Sequence, residues 1–268
     1  MAPPLPVPNR ASANVKLPTA PSFRLDGRRA VVTGASRGIG RACAAAFAQA
    51  GADVTLVARS GGDIEAAAAA IRATGGTARA STLDISDLDA VAHFFGDQPA
   101  FDVVLNNAGT NRPMPMTHVL EADYDAVLDL NVKSTFFVAQ HAAKAMITNG
   151  VPGALIHMGS QMGHVGGINR SLYCASKWAL EGMSKAFALD LAAFGIRSNT
   201  IAPTFIETPM TQPYFDDPKF KAEVLSRIKL GRLGTVEDLM GAVVFLASDA
   251  SNLVTGTSLV VDGGWTAD

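Results

Sequence analysis

Residues 33–40 read Thr33-Gly34-Ala35-Ser36-Arg37-Gly38-Ile39-Gly40. An apolar run at 29–33 leads into this stretch, and an alanine-rich helical pattern at 38–50 continues from it. Gly34 permits a tight turn, Gly38 lets the backbone approach a pyrophosphate, and Gly40 lets the helix pack closely on the strand. Backbone N–H groups at the start of such a helix face an anion and are assisted by the helix dipole. The stretch therefore predicts a dinucleotide-binding turn between a strand and a helix.

The same alternation of apolar and alanine-rich runs extends along the chain. The predicted strands are 29–33, 53–58, 77–83, 101–106, 153–159, 196–202 and 257–262. The predicted helices lie near 38–50, 62–74, 87–96, 121–149, 171–194 and 235–247. Apolar strands that alternate with helices indicate a parallel sheet covered on both faces, with right-handed crossovers. We predict an α/β fold, a doubly wound Rossmann-type parallel sheet of about seven strands flanked by helices.

Two segments depart from this alternation. Residues 1–25 contain six prolines and no acidic residue, and they predict a disordered or extended proline-rich tail. Residues 26–268 then form a single Rossmann-fold domain. Residues 203–232, rich in proline, phenylalanine and charge, predict a long irregular insertion of the kind that often forms a lid.

Composition argues against several classes of protein. Only 17% of the 268 residues are charged and the formal net charge is -2, so no basic field attracts nucleic acid or an anionic membrane. Apolar stretches are interrupted before the roughly 18 residues of a membrane span. The two cysteines indicate a reducing, cytoplasmic setting, and the five histidines lack metal-ligand spacing. We expect a cytoplasmic protein with a small-molecule partner and no metal.

A second constellation lies further along the chain. Tyr173 and Lys177 are spaced i and i+4, so they share one helical face. Ser160 ends the fifth predicted strand, thirteen residues earlier (173 minus 160), where open sheets bind their ligands. Each residue alone fits an ordinary structural role. Together, in register with the glycine turn, they favour a catalytic site.

These motifs resemble the short-chain dehydrogenase/reductase family, in its short, non-extended type. The resemblance rests on the TGxxxGIG pattern at 33–40, on Asn106-Asn107-Ala108-Gly109, and on the YxxxK pattern of Tyr173 and Lys177. It covers about residues 26–265 and implies an NAD(P)-dependent dehydrogenase that interconverts a secondary alcohol and a ketone by hydride transfer. In one departure, Pro203-Thr204 replaces the family's usual Pro-Gly, which removes backbone freedom there.

The resemblance assigns catalysis to four residues, Asn131, Ser160, Tyr173 and Lys177. A free tyrosine has a pKa near 10, so the ammonium of Lys177 is expected to lower the pKa of Tyr173 and favour the tyrosinate base. Ser160 would hydrogen-bond the substrate oxygen, and Asn131 would hold a water that relays protons. Lys177 would also bind the nicotinamide ribose.

The cofactor prediction favours NADP over NAD. The second strand ends at Ala58, where an NAD enzyme usually has an acid for the ribose 2′-hydroxyl. Arg37 and Arg59 could instead bind a 2′-phosphate. The predicted cofactor-binding residues are Gly34, Ser36, Arg37, Gly38, Ile39, Gly40, Ala58, Arg59, Asp84, Ile85, Asn107, Ala108, Gly109, Tyr173, Lys177, Pro203, Ile206 and Thr208.

The expected substrate end is polar. Its predicted lining residues are Gln161, His164, Arg170 and Arg112, which suit a polyol or a sugar acid better than a steroid. Two alternatives remain open: a 3-oxoacyl thioester reductase of lipid metabolism, and a non-catalytic NADP-binding redox sensor. The resemblance also implies a homotetramer formed through helices 121–149 and 171–194 and the C-terminal strand.

Overall fold

The structure, a computed structural model, describes residues 17–267. Its seven strands are β1 (Arg29–Thr33), β2 (Asp53–Ala58), β3 (Thr77–Thr82), β4 (Val103–Asn106), β5 (Ala154–Met158), β6 (Arg197–Pro203) and β7 (Ser258–Val261). All neighbouring strands pair in parallel, in the order β3-β2-β1-β4-β5-β6-β7. The order reverses between β1 and β4, so this is a doubly wound Rossmann-type sheet and the predicted fold is confirmed.

Helices cover both faces of this sheet. Within residues 17–267 the α-helices are α1 (Gly38–Gln49), α2 (Gly61–Ala73), α3 (Leu88–Gly96), α4 (Glu121–Leu128), α5 (Thr135–Asn149), α6 (Ser171–Leu191), α7 (Gln212–Phe215), α8 (Pro218–Arg227) and α9 (Glu237–Ala247). None of these helices is both long and apolar enough to cross a lipid bilayer.

Successive strand residues enter two separate hydrophobic cores. Val32 and Leu56 pack with Phe47 of α1 on one face, and Val31 packs with Met146 of α5 on the other. Because side chains alternate along a strand, a sheet with two covered faces needs apolar residues at nearly every position. The carboxyl edge of the sheet is left as the place where the connecting loops meet.

The prediction of one continuous helix over residues 121–149 is wrong. A six-residue π-helix, Asp129–Ser134, separates α4 from α5. Asn131 lies in this turn and is buried, and its side chain bonds residues far away in the sequence. A helical period fitted over the whole segment could not reveal this interruption, because long-range contacts stabilise it.

The predicted irregular insertion at 203–232 is also partly wrong, because it contains α7 and the ten-residue α8. Asp217 caps α8, its Oδ1 accepting from the Lys219 N–H at 2.9 Å, and Pro218 is the first helical residue. Asp followed by Pro is a recognisable helix start. We call residues 203–232 the lid segment below.

The predicted tail lies mostly outside the described residues, which begin at residue 17. Residues 17–25 contain no helix or strand, and Leu25 is fully buried beneath α1 and α9. The boundary of the single domain at residue 26 stays a prediction.

Candidate active site

A cavity of about 490 Å³ opens at the carboxyl edge of the sheet, beside the reversal between β1 and β4. Its walls come from the glycine turn, the ends of β2, β4 and β5, the start of α6 and the lid segment. Every predicted cofactor-binding residue lines this cavity. The fold thus gathers into one place residues that are far apart in the sequence.

The glycine turn is held tightly against the end of β4. Gly34 and Gly38 have φ values of +65° and +55°, which favour glycine. A Cβ on Gly40 would lie 2.4 Å from both the Asn107 Nδ2 and the Gly34 carbonyl oxygen. Asn107 Nδ2 itself donates to the carbonyls of Thr33, at 3.0 Å, and Gly34, at 3.2 Å. The N-terminus of α1 therefore opens onto the cavity with its backbone N–H groups available, which fits a dinucleotide pyrophosphate.

The opposite end of the cavity suits the adenosine part of a dinucleotide. Arg37 and Arg59 are exposed at its rim, and within residues 17–267 the side chain of Arg37 forms neither a hydrogen bond nor an ion pair. Asp84 Oδ1 accepts from the Ser86 hydroxyl at 2.7 Å, a bond that, with a smaller effect of Arg59, holds the pKa of Asp84 below its ordinary value. Asp63, which sequence reasoning missed, also lines this end.

The start of α6 brings Tyr173 and Lys177 to the cavity opposite Ser160. The Lys177 Nζ donates to the Met158 carbonyl at 2.7 Å and lies 5.5 Å from the centroid of the Tyr173 ring. Ser160 Oγ donates to Gln161 Oε1 at 2.8 Å and accepts from the Met162 N–H at 3.1 Å. The predicted serine, tyrosine and lysine therefore lie together, with the serine hydroxyl oriented by its neighbours.

Burial controls the ionisation of this group. It raises the pKa of Tyr173 above its ordinary value, and a hydrogen bond with Ser160 offsets only part of the rise. Burial also lowers the pKa of Lys177 to about 8, against the opposing effect of Glu181. The expected lowering of the Tyr173 pKa by Lys177 is therefore wrong for the protein without cofactor. The charged form of each group loses hydration on burial, and this is the largest influence on each of the two pKa values.

Asn131 lies beside the cavity rather than in its wall. Its Oδ1 accepts from the Thr110 N–H at 2.8 Å, and its Nδ2 donates to the Thr110 carbonyl at 2.9 Å and the Ser176 Oγ at 3.0 Å. Thr110 does line the cavity. The side chain of Asn131 thus joins the π-helix to the loop after β4 and to α6.

Two of the four predicted substrate residues, Gln161 and Arg170, line the cavity, and the other two do not. The ring Nε2 of His164 lies 2.9 Å from Ser258 Oγ, on the side facing β7. Arg112 pairs with Asp123 at the start of α4, at 2.5 Å. Both side chains find polar partners outside the cavity, and the direction of a loop side chain depends on tertiary contacts that spacing does not report.

Sequence reasoning did not single out Thr204 or Tyr214 as site residues. Thr204 and Asn111 line the cavity, and the Oγ1 of Thr204 and the Oδ1 of Asn111 are buried with no hydrogen-bond partner within the described chain. Buried polar atoms normally have partners, so these two indicate hydrogen-bonding positions for a ligand. The replacement of glycine by Thr204 was the available signal. Tyr214 reaches the cavity from α7.

Comparison with known proteins agrees with this geometry. A family model described as enoyl-(acyl carrier protein) reductase matches residues 34–266. The D-erythrulose reductase of Gallus gallus is 37% identical over 245 residues, 91% of this chain and 98% of that relative. The 2-dehydro-3-deoxy-D-gluconate 5-dehydrogenase of Escherichia coli K12 is 38% identical over 252 residues, 92% of this chain and 98% of that relative. A crystal structure of a gluconate 5-dehydrogenase from Burkholderia cenocepacia, with NADP and tartrate, superposes with a TM-score of 0.89 at 35% identity, covering 92% of this chain and 98% of that one.

The fold and the site define a nicotinamide-dependent oxidoreductase that acts on CH–OH groups and their ketones. More particularly, the chain belongs to the short-chain dehydrogenase/reductase family, as its motifs predicted. No group of three or more His, Cys, Asp or Glu side chains that could hold a metal is found among residues 17–267.

Proposed function

We propose that this protein interconverts a polyol or a sugar acid with the corresponding ketone, with NADP as its preferred cofactor. The observation that carries the proposal is the meeting of Ser160, Tyr173 and Lys177 at a cavity whose wall also carries polar side chains. Gln161, the buried Thr204 hydroxyl and the Asn111 amide oxygen offer hydrogen bonds to several substrate hydroxyls. Relatives that act on erythrulose and on a deoxygluconate derivative support this substrate class.

When bound, the nicotinamide supplies or accepts the hydride at the reacting carbon. In the reduction direction, Ser160 holds the carbonyl oxygen and stabilises its developing charge. The hydroxyl of Tyr173 then donates its proton to that oxygen, so the ketone becomes an alcohol. The raised pKa of Tyr173 keeps this proton in place at neutral pH. Lys177, held by the Met158 carbonyl, stabilises the tyrosinate that remains and holds the ribose.

The preference for NADP rests on the end of β2. Ala58 supplies no carboxylate to bind a ribose 2′-hydroxyl, and the guanidinium groups of Arg37 and Arg59 lie at the same rim of the cavity. A dianionic 2′-phosphate would gain charge-assisted hydrogen bonds from both. The NADP found with the Burkholderia cenocepacia enzyme is in line with this preference.

One alternative has an observation of its own. The matching family model is described as an enoyl-(acyl carrier protein) reductase, and the alternative 3-oxoacyl thioester reductase would likewise act on an acyl chain. That substrate would need an apolar channel for its acyl chain, whereas Gln161, Asn111 and Thr204 present polar atoms in the cavity. A redox sensor without catalysis would not need the complete Ser160, Tyr173 and Lys177 group.

We further propose that the protein works in the cytoplasm as a homotetramer. Large apolar side chains are exposed on the outer surfaces of α5, α6 and β7, among them Ile147, Trp178, Leu189 and Val260. Large exposed apolar side chains of this kind are common at subunit interfaces. Both cysteines are free, which suits a reducing compartment.

The experiment measures NADPH and NADH oxidation by the purified protein with ketoses, keto-aldonic acids and 3-oxoacyl thioesters. We expect turnover of the sugar compounds with NADPH, and a loss of at least about 100-fold in Tyr173→Phe, which removes only the hydroxyl that transfers the proton. Tyr124→Phe is the matched control, because Tyr124 is 52% exposed on α4 and should leave activity unchanged. Turnover confined to thioesters, or retained by Tyr173→Phe, would contradict the proposal.

A further inference from the structure

Arg170 combines burial with the absence of an acidic partner. It is the last residue before α6, and only 8% of its surface is exposed. Its side chain lines the active-site cavity and also a second cavity of about 730 Å³ beneath the lid segment. The residue therefore forms part of the wall between the catalytic group and the lid.

The guanidinium has little to satisfy its five N–H donors. Its Nη1 donates to the Asn169 carbonyl at 3.4 Å, and the group lies 5.3 Å from the centroid of the Tyr214 ring. Within residues 17–267 it forms no ion pair, although Asp217 and Glu223 line the second cavity. The exposed Arg112 and Arg232, by contrast, pair with carboxylates. A buried charge without a partner is unfavourable. A bound anion would supply the missing partner for the Arg170 guanidinium.

The local backbone holds Arg170 in this position. Asn169, immediately before it, has a φ of +58° and is the one non-glycine residue with positive φ among those described. The Asn169 carbonyl is itself fixed, because it accepts from the Met114 N–H at 3.0 Å. Such conformations persist where surrounding contacts impose them, and they are concentrated at ligand sites. The turn and the Tyr214 ring together orient the guanidinium before any ligand arrives.

We propose that Arg170 binds a carboxylate of the substrate, and that the substrate class is therefore a sugar acid and its keto acid rather than a neutral polyol. This inference rests on the proposed function and narrows it. A guanidinium offers two parallel N–H groups to a carboxylate, and the contact with the Tyr214 ring at 5.3 Å does not use those N–H donors. Binding at Arg170 would place the far end of the acid against the lid, with the reacting carbon toward Ser160 and Tyr173.

The first test compares 5-keto-D-gluconate with L-sorbose, which differ only in a terminal carboxylate or hydroxymethyl group. The measured quantity is the kcat/KM for 5-keto-D-gluconate divided by the kcat/KM for L-sorbose, both with NADPH. Arg170→Met should lower this ratio by about 30-fold, because the acid would lose a hydrogen-bonded charge pair and the ketose would not. Arg170→Lys keeps the positive charge but cannot donate two parallel hydrogen bonds to a carboxylate. It should therefore lower the same ratio by a smaller factor. Arg112→Gln, outside the cavity, is the matched control and should leave the ratio unchanged.

Activity on L-sorbose also reports whether the variants fold. An unchanged ratio in Arg170→Met, or an equal loss on both compounds, would overturn the inference, because Arg170 would then act on substrates regardless of charge. The same substitution must leave NADPH binding intact, which fluorescence titration measures.

A binding experiment separates this inference from the proposed function. Calorimetry on the NADPH complex with tartrate, and with its neutral counterpart threitol, requires no turnover. We expect tartrate to bind more tightly than threitol, and Arg170→Met to abolish that preference. This result without turnover of any sugar would support the anion site and reject the proposed function. Equal affinities for the two ligands in the unaltered protein would reject the anion site, while turnover of L-sorbose would still support the proposed function.

Discussion

At the scale of single residues, the site depends on ionisable side chains that are buried. Tyr173 and Lys177 are neighbours on one helical face, and burial shifts both pKa values toward the neutral form of each group. The protein without cofactor is therefore set to donate a proton from Tyr173 rather than to remove one. Arg170 is a further buried ionisable residue in the wall of this site.

These pKa shifts predict opposite pH profiles for the two reaction directions. The kcat/KM for ketone reduction should be flat through neutral pH and fall above about 8, where Lys177 loses its charge. The kcat/KM for alcohol oxidation should rise toward alkaline pH, because Tyr173, with its raised pKa, must first lose its proton. Steady-state rates in both directions from pH 6 to 10 test this, and Lys177→Met should remove the fall near pH 8. Profiles with the same slope in both directions would contradict it.

At the scale of elements, the turn between β1 and α1 depends on close backbone contact. Gly40 is packed against Asn107 and the Gly34 carbonyl, so the helix and the end of β4 share one fixed arrangement. The π-helix between α4 and α5 is a similar case, since its Asn131 bonds Thr110 and Ser176. Each contact joins elements that come from separate parts of the chain.

Gly40→Ala should lower the free energy of unfolding by about 2 kcal/mol, because the new methyl group would overlap with backbone that cannot move away cheaply. NADPH affinity should fall at the same time, since the turn presents its N–H groups to the phosphates. Urea unfolding and fluorescence titration measure the two effects. Gly62→Ala is the matched control: in α2 a Cβ at Gly62 meets nothing within 4 Å, so stability should stay equal or rise slightly. Similar losses in both variants would argue against close contact as the cause.

At the scale of the whole molecule, β7 is an edge strand of the sheet among the described residues, and large apolar side chains lie on the outer surface of α6. Trp178 is 54% exposed and Leu189 is 82% exposed on that surface. Gly182 lies on the same helix, and a Cβ there would meet nothing within 4 Å in the single chain. This surface is where we expect another copy of the chain to pack.

Gly182→Ala should have opposite effects in an isolated protomer and in the proposed tetramer. In an isolated protomer the substitution should raise the free energy of unfolding by about 1 kcal/mol, as alanine favours a helix over glycine. If α6 packs on a second copy, the added methyl group should instead weaken association. Sedimentation across a concentration series measures association, and Gly62→Ala, on the far side of the sheet near β3, should leave it unchanged. A monomer at every concentration for the unaltered protein would reject the tetramer.

The sequence by itself determined the features that are local in the chain. The glycine spacing at 33–40, the i and i+4 relation of Tyr173 and Lys177, and the alternation of apolar strands with helices each follow from a few neighbouring residues. Periodicity and turn chemistry report directly on such features, so the Rossmann-type fold and the grouping of Ser160, Tyr173 and Lys177 were predictable. The start of α8 was equally local in the Asp217-Pro218 pair and could have been found.

Only the tertiary structure decided which side chains line the cavity and in which direction their pKa values shift. His164 and Arg112 point to polar partners elsewhere, whereas Thr204 and Tyr214 reach the site from the lid segment. The direction of the Tyr173 pKa shift likewise depends on how much water the packed chain removes. These properties arise from burial and from contacts between residues distant in sequence, and no spacing pattern along the chain encodes them directly.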